Sequence, residues 1–211
     1  MNLIFSRFHI NKGFTLIELL VSLSIMVAIF TIVLSNQSKY TDGTALTGLA
    51  DEIGLQLTQA QIYGVSVKEF TPGSEEFNAA YGLSFNVSSG GSNSAYVYFA
   101  DRGTTLNGKY DSGWSCPVDT NSECISKTAI TRGNTISAIC YIHKSGPEQC
   151  NLGGVDITFV RPDVAANITY FNQNGTKLNL PNAIGTRIEL SSSSGAKRNI
   201  FVYDTGQISV Q

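Results

Sequence analysis

The sequence predicts an α+β protein in which a long N-terminal helix packs on an antiparallel β-sheet head. Three features support this fold class. A long apolar stretch comes first, a stripe of apolar residues at helical spacing follows, and short β-type runs separated by turn residues fill the remainder. The predicted segments are a leader at 1–13, a membrane-spanning helix at 14–34, an amphipathic helix at 35–71 and the β head at 72–211.

The apolar stretch runs from Phe14 to Leu34. Its length of about 20 residues is enough for a helix to cross a bilayer core. Arg7 and Lys12 precede it with no acidic residue among them, so the positive-inside tendency predicts a cytoplasmic N-terminus and a head outside the cytoplasm. A secretory signal peptide is the alternative, but the stretch is too long for a signal core and no small-x-small cleavage site closes it.

A second helical pattern follows the membrane segment. Apolar residues recur there at spacings of three and four, which predicts a helix face that packs on the head: Leu46, Leu49, Ile53, Leu57, Ala60 and Tyr63. Gly43 is a candidate kink or break before this stripe, and Pro72-Gly73 is the expected end of the helix.

Short strands are predicted beyond Pro72, each flanked by turn residues. They are Tyr81–Val87, Ala95–Ala100, Ile136–Ile142, Val155–Val160, Ile168–Phe171, Thr186–Leu190, Asn199–Tyr203 and Gln207–Val210. Hairpin-type turns are predicted at Asn107-Gly108, at Asn174-Gly175 and at 204–206.

Composition excludes a strongly charged binding surface. The net charge is −2 and charged residues make up 14% of the chain, below the usual quarter. The four cysteines all lie in the second half, and an even number in an exported domain predicts two disulfides with three possible pairings. The short loops that they would close favour two bonds, Cys116 with Cys124 and Cys140 with Cys150.

Glu18 is the most informative single residue, because it places a carboxylate inside the apolar stretch. An acidic side chain in hydrocarbon costs about 2.5–3.5 kcal/mol on insertion scales, so it calls for a partner or a function. The alternative explanation is that Glu18 is an interfacial glutamate near the helix end, without a specific function.

The ten residues from Lys12 to Val21, KGFTLIELLV, resemble the processing site of type IV prepilins. The resemblance implies that a prepilin peptidase cuts between Gly13 and Phe14, removing the leader, and methylates the new amine of Phe14. It also implies that Glu18 meets the amine of a neighbouring subunit during assembly. A buried carboxylate and a buried ammonium are each costly alone and tolerable as a pair.

A second resemblance covers most of the chain. The helix LADEIGLQLTQAQIYGVSV, the strand YGLSF and the C-terminal IELSSSSGAKRNIFVYDTGQISV are similar to the heads of GspH/FimT-type minor pilins and pseudopilins. This resemblance implies a structural subunit of a type IV pilus or a type II secretion-like filament, and not an enzyme. Its expected partners are the prepilin peptidase, other pilin or pseudopilin subunits and the inner membrane, with the finished filament in the periplasm or at the cell surface. A DNA-binding minor pilin of natural transformation is the alternative.

Other candidate sites are weaker, and no cofactor or metal is expected. Gly103–Lys109 reads GTTLNGK, but Tyr110 stands where a P-loop needs Ser or Thr. The cysteines lack the close spacing of a zinc knuckle, so disulfides are favoured over a zinc site with His143. His9 lies in the leader, so a catalytic triad would depend wholly on His143, which we expect to be a surface residue.

Oxygen-bearing residues could form a calcium site, although their spacing does not match a calcium loop; they are Asp101, Asn107, Asp111 and Asp119. Nucleic acid is a possible but unfavoured partner, since the basic residues of the head are scattered along the sequence: Arg102, Lys109, Lys177, Arg187, Lys197 and Arg198.

Overall fold

The computed structural model describes residues 13–211 except 67, 71, 72, 74–76, 104, 105, 118 and 120. It contains one long helix and ten strands in the described part of the chain. The helix is α1, Leu16–Val65. The strands are β1 Ala80–Asn86, β2 Ala95–Asp101, β3 Cys124–Ala129, β4 Thr135–His143, β5 Gly154–Phe159, β6 Ala166–Phe171, β7 Lys177–Leu178, β8 Ala183–Ser191, β9 Lys197–Tyr203 and β10 Ile208–Val210. The predicted α+β class is confirmed.

The chain forms two compact units, residues 1–41 and residues 42–211. The first unit contains the apolar part of α1, where residues 16–34 are all exposed in the isolated chain. The second contains the rest of α1 and every described strand. Gly43 is assigned to the helix, so the predicted break does not interrupt helical structure there.

The strands form two antiparallel sheets, and the sequence analysis did not specify their number. The six-stranded sheet has the order β3-β2-β1-β5-β6-β7, and the four-stranded sheet has the order β10-β9-β8-β4. The predicted turn at 174–175 joins β6 to β7, and the turn at 204–206 joins β9 to β10. Asn107-Gly108 instead lies in a long connection between β2 and β3, so it does not form a tight hairpin.

One hydrophobic core is shared by the helix and both sheets. The helix contributes fully buried residues at alternating spacings of four and three: Leu46, Ala50, Ile53, Leu57 and Ala60. The strands contribute alternate residues, such as Tyr81, Leu83 and Phe85 of β1. Of the predicted stripe, Leu49 and Tyr63 are only partly buried, and Ala50 is the core residue that the prediction omitted.

The six-stranded sheet is covered on its other face as well. Val97 and Phe99 of β2 pack there against Tyr110, which belongs to the connection between β2 and β3. This double cover explains why β2 and β5 are buried at every position. We name residues 102–123 the cover loop.

Two strands were missed by the sequence prediction, and the helix is shorter than predicted. β3 is an edge strand with a largely exposed, polar sequence, and β7 has two residues, so neither has an apolar pattern to detect. The helix ends at Val65, well before the predicted end. Pro72 lies outside the described residues.

Gly64 of α1 is required by close packing. A Cβ added there would overlap the backbone carbonyl of Phe159 in β5, whereas a Cβ added at Gly48 would meet no atom within 4 Å. Both glycines are helical, and Gly48 is exposed. Alanine substitutions at Gly64 and Gly48 are therefore a matched pair, because only the first would create an overlap.

We predict that Gly64→Ala destabilises the head by about 1–3 kcal/mol, because the overlap forces α1 away from β5. Gly48→Ala should stabilise the head by up to about 1 kcal/mol, because alanine has the higher helix propensity. Denaturant unfolding of the full-length chain in detergent, followed by circular dichroism, measures both. Equal midpoints for the two variants would contradict this assignment.

Candidate functional site

The predicted processing site lies directly before the start of α1. Gly13 and Phe14 are exposed and precede the first helical residue, Leu16. A Cβ at Gly13 would meet no atom within 4 Å. Packing among the described residues therefore does not require glycine at position 13.

Thr15 caps the helix, a role that the sequence analysis missed. Its Oγ1 accepts a hydrogen bond of 3.3 Å from the backbone N–H of Glu18. The pattern Thr15-x-x-Glu18 is the signature of a capping box, so the signal was present in the sequence. Glu18 also lies in the first turn, where its negative charge interacts favourably with the positive end of the helix dipole.

The segment Leu16–Leu34 is long and apolar enough to cross a membrane, with mean hydropathy 2.6. Its hydroxyl groups are satisfied within the helix. Ser22 donates to the carbonyl oxygen of Glu18, Ser24 to that of Val21, and Thr31 to that of Val27. A membrane-spanning helix needs such internal hydrogen bonds, because no water is present in the hydrocarbon core to bind its polar groups.

Glu18 differs from these hydroxyl residues. It is the one charged residue between positions 16 and 34. Its side chain forms no hydrogen bond or ion pair with any residue that the structure describes. An ionised carboxylate in this apolar surrounding needs a cation from outside the segment. The roles of Gly13, Phe14 and Glu18 remain predictions.

Two disulfides are present in the head, Cys116–Cys124 and Cys140–Cys150, and no described cysteine is free. The first attaches the cover loop to β3. The second joins β4 to the segment that follows it. Arg187 of β8 donates hydrogen bonds of 3.2 Å to the sulfur atoms of Cys140 and Cys150.

Arg187 also binds two carboxylates. Its guanidinium lies 2.7 Å from Glu148 and 2.9 Å from Glu189. Cys140, Cys150 and Glu148 form the one group of three possible metal ligands close enough to share an ion within the described residues. Because the sulfurs are oxidised and Glu148 is paired with Arg187, this group is not suited to hold a metal.

The four oxygen-bearing residues proposed for calcium are engaged in the cover loop. Asp101 accepts a hydrogen bond of 2.6 Å from the backbone of Gly108, and Asp119 accepts one from Asn121. Asp111 is bound by both Asn107 and Lys109. These contacts are turn and ion-pair chemistry.

The P-loop-like segment has no phosphate cradle in its described residues. Threonines 104 and 105 lie outside them. The N–H of Gly108 is already bound by the carboxylate of Asp101, and no helix follows at 110–113. His143 belongs to β4, is partly exposed, and accepts a hydrogen bond at Nδ1 from the backbone of Ser145.

Buried carboxylates, one in the six-stranded sheet and one in the cover loop itself, bind backbone N–H groups of the loop. Asp156 of β5 accepts a hydrogen bond of 2.8 Å from the backbone of Tyr110, and Glu123 accepts one of 2.6 Å from Asp111. Burial raises the pKa of Asp156 to about 7, although hydrogen bonds from Ser84 and Tyr110 oppose the shift. Burial also raises the pKa values of Glu123 and Asp101.

Comparison with known proteins finds one similarity, which is confined to the N-terminal segment. Residues 9–34 match the family model of the prokaryotic N-terminal methylation motif. No curated protein matches the chain, and no solved structure matches it. The matched residues include Gly13, Phe14 and Glu18, and they end with the apolar segment at Leu34. The match does not extend to the head.

We predict that the head loses stability as the pH rises from 5 to 8. The pKa of Asp156 is raised above its unfolded value, so the folded state holds this proton more tightly, and that advantage disappears as the pH rises through about 7. The expected loss is on the order of 2 kcal/mol. Urea unfolding of the full-length chain in detergent, repeated across this range, measures it.

Two variants test the assignment to Asp156. Asp156→Asn should flatten the pH dependence, because the titrating group is removed. Glu189→Gln is the control: hydrogen bonding from Lys197 lowers the pKa of Glu189 to about 2, so its contribution is lost only in acid and stays constant between pH 5 and 8. An Asp156→Asn protein with the wild-type slope would refute the assignment.

Proposed function

Since the chain carries the N-terminal methylation motif of type IV prepilin-like proteins, we propose that it is a minor pilin or pseudopilin. It is a structural subunit of a type IV pilus or a type II secretion-like filament. The observation that carries the proposal is the match at residues 9–34, in which Glu18 lies within an exposed apolar helix and has no side-chain partner among the described residues.

Processing comes first in this mechanism. A prepilin peptidase cuts the bond between Gly13 and Phe14 and methylates the new amine. Both residues are exposed and lie outside the helix, so the bond is accessible in this chain. Thr15 would then be the second residue of the mature protein, and its cap would keep the helix start intact after the cut.

Assembly then uses the apolar part of α1. The exposed side chains of residues 14–34 first contact lipid and then contact the same segments of neighbouring subunits. Packing excludes water, so Glu18 and the amine of Phe14 become costly as separate charges. A pair between Glu18 of one subunit and the Phe14 amine of another would neutralise both.

The membrane orientation is supported by charge and by the disulfides. Arg7 and Lys12 favour a cytoplasmic N-terminus, which places the head outside the cytoplasm. The two disulfides of the head suit an oxidising compartment. In a filament, the head faces the periplasm or the cell surface.

The minor-subunit assignment rests on the GspH/FimT-like helix and C-terminal hairpin described above. We do not propose the DNA-binding alternative, because the described basic residues of the head are largely engaged. Lys109 is paired with Asp111, and both Arg187 and Lys197 are paired with Glu189. Phosphate binding would have to break such pairs.

We predict that co-expression with a prepilin peptidase removes the first 13 residues and leaves a methylated Phe14. Gly13→Ala should slow cleavage less than Gly13→Leu, because the peptidase and not this fold limits the side chain at position 13. Mass spectrometry of the purified protein identifies the new terminus. A terminus at any other residue would contradict the proposed site.

We predict that Glu18→Val inserts into the membrane as well as the wild type but enters filaments at least about tenfold less. Insertion is preserved because the helix becomes more apolar. Incorporation falls because the partner amine is buried without its counter-charge, and a tenfold drop requires only about 1.4 kcal/mol. Immunoblots of sheared filaments and of membranes measure the two quantities.

Ser22→Ala is the matched control for this experiment. It also makes the apolar segment less polar, but it removes only a hydroxyl that is satisfied within its own helix. We expect normal incorporation of this variant. If Glu18→Val entered filaments as efficiently as Ser22→Ala, the carboxylate would not be an assembly contact.

A further inference from the structure

The two disulfides of the head differ in how their sulfur-bearing residues are exposed. In the Cys140–Cys150 bond, Cys140 of β4 is fully buried, whereas Cys150 is exposed at the end of the segment that follows β4. In the Cys116–Cys124 bond, both residues are half-buried. The Cys140–Cys150 bond therefore has one end at the surface and one end in the interior of the head.

The two disulfides also differ in their contact with positive charge. Nη2 of Arg187 in β8 donates hydrogen bonds of 3.2 Å to both sulfur atoms of Cys140–Cys150. Neither sulfur atom of Cys116–Cys124 accepts a hydrogen bond from a residue that the structure describes. A disulfide is uncharged and gains little from a guanidinium. A thiolate formed at the same position gains a charge-assisted hydrogen bond, which is about twice as strong as a neutral one.

Arg187 is held in position by contacts that do not involve sulfur. Its Nε atom lies 2.7 Å from Glu148, and its Nη1 atom lies 2.9 Å from Glu189 and 2.8 Å from Asn199. Lys197 also pairs with Glu189, at 2.7 Å, so the charges of these two cations and two carboxylates cancel. The N–H groups of Nη2 remain directed at the sulfurs, and they are the charged donors in direct contact with them.

We propose that Cys140–Cys150 is a site of thiol–disulfide exchange whose reaction partner is a dithiol. A thiolate of the dithiol attacks Sγ of the exposed Cys150, and the electron pair of the S–S bond leaves with Sγ of Cys140. This leaving thiolate forms 3.2 Å from Nη2 of Arg187, which stabilises its charge.

The second thiol of the dithiol, also as a thiolate, then attacks the dithiol's own sulfur in the mixed disulfide. That step releases Cys150 as a thiolate and closes the disulfide of the partner. Two electrons pass from the dithiol to the two cysteines, and the two protons that the dithiol loses are balanced by those that the new thiolates take up. Arg187 is a positioning residue in this exchange, because it touches the leaving sulfur and forms no covalent bond.

The segment between the two cysteines stays attached to β4 and β8 when the disulfide opens. Backbone hydrogen bonds of 3.0 and 3.2 Å join Tyr141 to Gln149, and Glu148 is paired with Arg187. The two thiols therefore remain neighbours after reduction, so the exchange is reversible. This reactivity does not depend on filament assembly.

Timed reduction of the full-length chain in detergent tests the proposal, with dithiothreitol as the dithiol. Samples are quenched with N-ethylmaleimide, and peptide mapping by mass spectrometry gives the rate at which each cysteine becomes labelled. We expect Cys140 and Cys150 to be labelled at least about tenfold faster than Cys116 and Cys124, while circular dichroism shows a folded head. Equal rates, or faster opening of Cys116–Cys124, would overturn the proposal.

Variants of Arg187 separate stabilisation of the leaving thiolate from a merely structural role. Arg187→Gln should slow the opening of Cys140–Cys150 about tenfold, and Arg187→Lys, which keeps a cation, should restore part of the rate. If Arg187 only held the segment in place, its loss would loosen the segment and speed the reaction. Unchanged or faster opening in Arg187→Gln would therefore overturn the assignment to Arg187.

Arg198→Gln is the matched control for the loss of an arginine. Arg198 belongs to the neighbouring strand β9, and its Nε atom donates to Thr47 rather than to a sulfur. We expect this variant to open Cys140–Cys150 at the wild-type rate. A slowing equal to that of Arg187→Gln would show that the effect of Arg187 is not specific to its contact with the disulfide, and it would contradict the proposal.

Discussion

Both sheets of the head pack on the same face of α1, and this shared face holds the core together. The helix residues that form it are fully buried, from Leu46 through Ile53 to Ala60. Burial of a leucine or isoleucine side chain contributes about 1.5–3 kcal/mol, so this single row of side chains is a large part of the stability of the head. Neither sheet has another helix to cover its inner face in the described structure.

Close approach of α1 to the strands follows from the same packing. At Gly64 the helix backbone meets the backbone of Phe159, and at Gly54 it meets the side chain of Val210. The helix backbone therefore meets the backbone of β5 in one sheet directly, and in the other sheet it packs against a side chain of β10. Where the helix carries larger polar residues instead, at Gln56 and Gln59, a cavity of about 600 Å³ remains beside β3.

Residues 16–34 of α1 differ from the buried part of the helix, because none of them is covered by the rest of the chain. Their apolar side chains are exposed all around the helix, and their serine and threonine hydroxyls are bonded to the helix backbone. Glu18 is the exception in this segment, because its other side chains are all compatible with hydrocarbon. Thr15 gives Glu18 a local structural role at the helix start, since its side chain caps the Glu18 N–H. That role uses the backbone N–H of Glu18 and does not involve its carboxylate.

Buried carboxylates hold the irregular backbone of the cover loop in place. Asp156, Glu123 and Asp101 each accept a backbone N–H from residues 108–111. They fix a loop whose described residues belong to no helix or strand. Burial raises the pKa values of all three carboxylates, because the ionised form is disfavoured where water is excluded.

The sequence by itself determined the features that depend on local pattern. The apolar segment, the N-terminal methylation motif and the helical spacing from Leu46 to Ala60 can be recognised because each is a pattern of residues close together in the sequence. Eight strands were predicted for the same reason, and the α+β class follows from them.

Only the tertiary structure decided what depends on contacts between distant residues. It divided the strands into two sheets, revealed β3 as a polar edge strand, and brought Arg187 onto the disulfide of Cys140 and Cys150. It also showed that Asp156 of β5 is buried and accepts a hydrogen bond from Tyr110 of the cover loop, 46 positions away in the sequence. No local pattern encodes these contacts, because each results from how the strands pair and pack around α1.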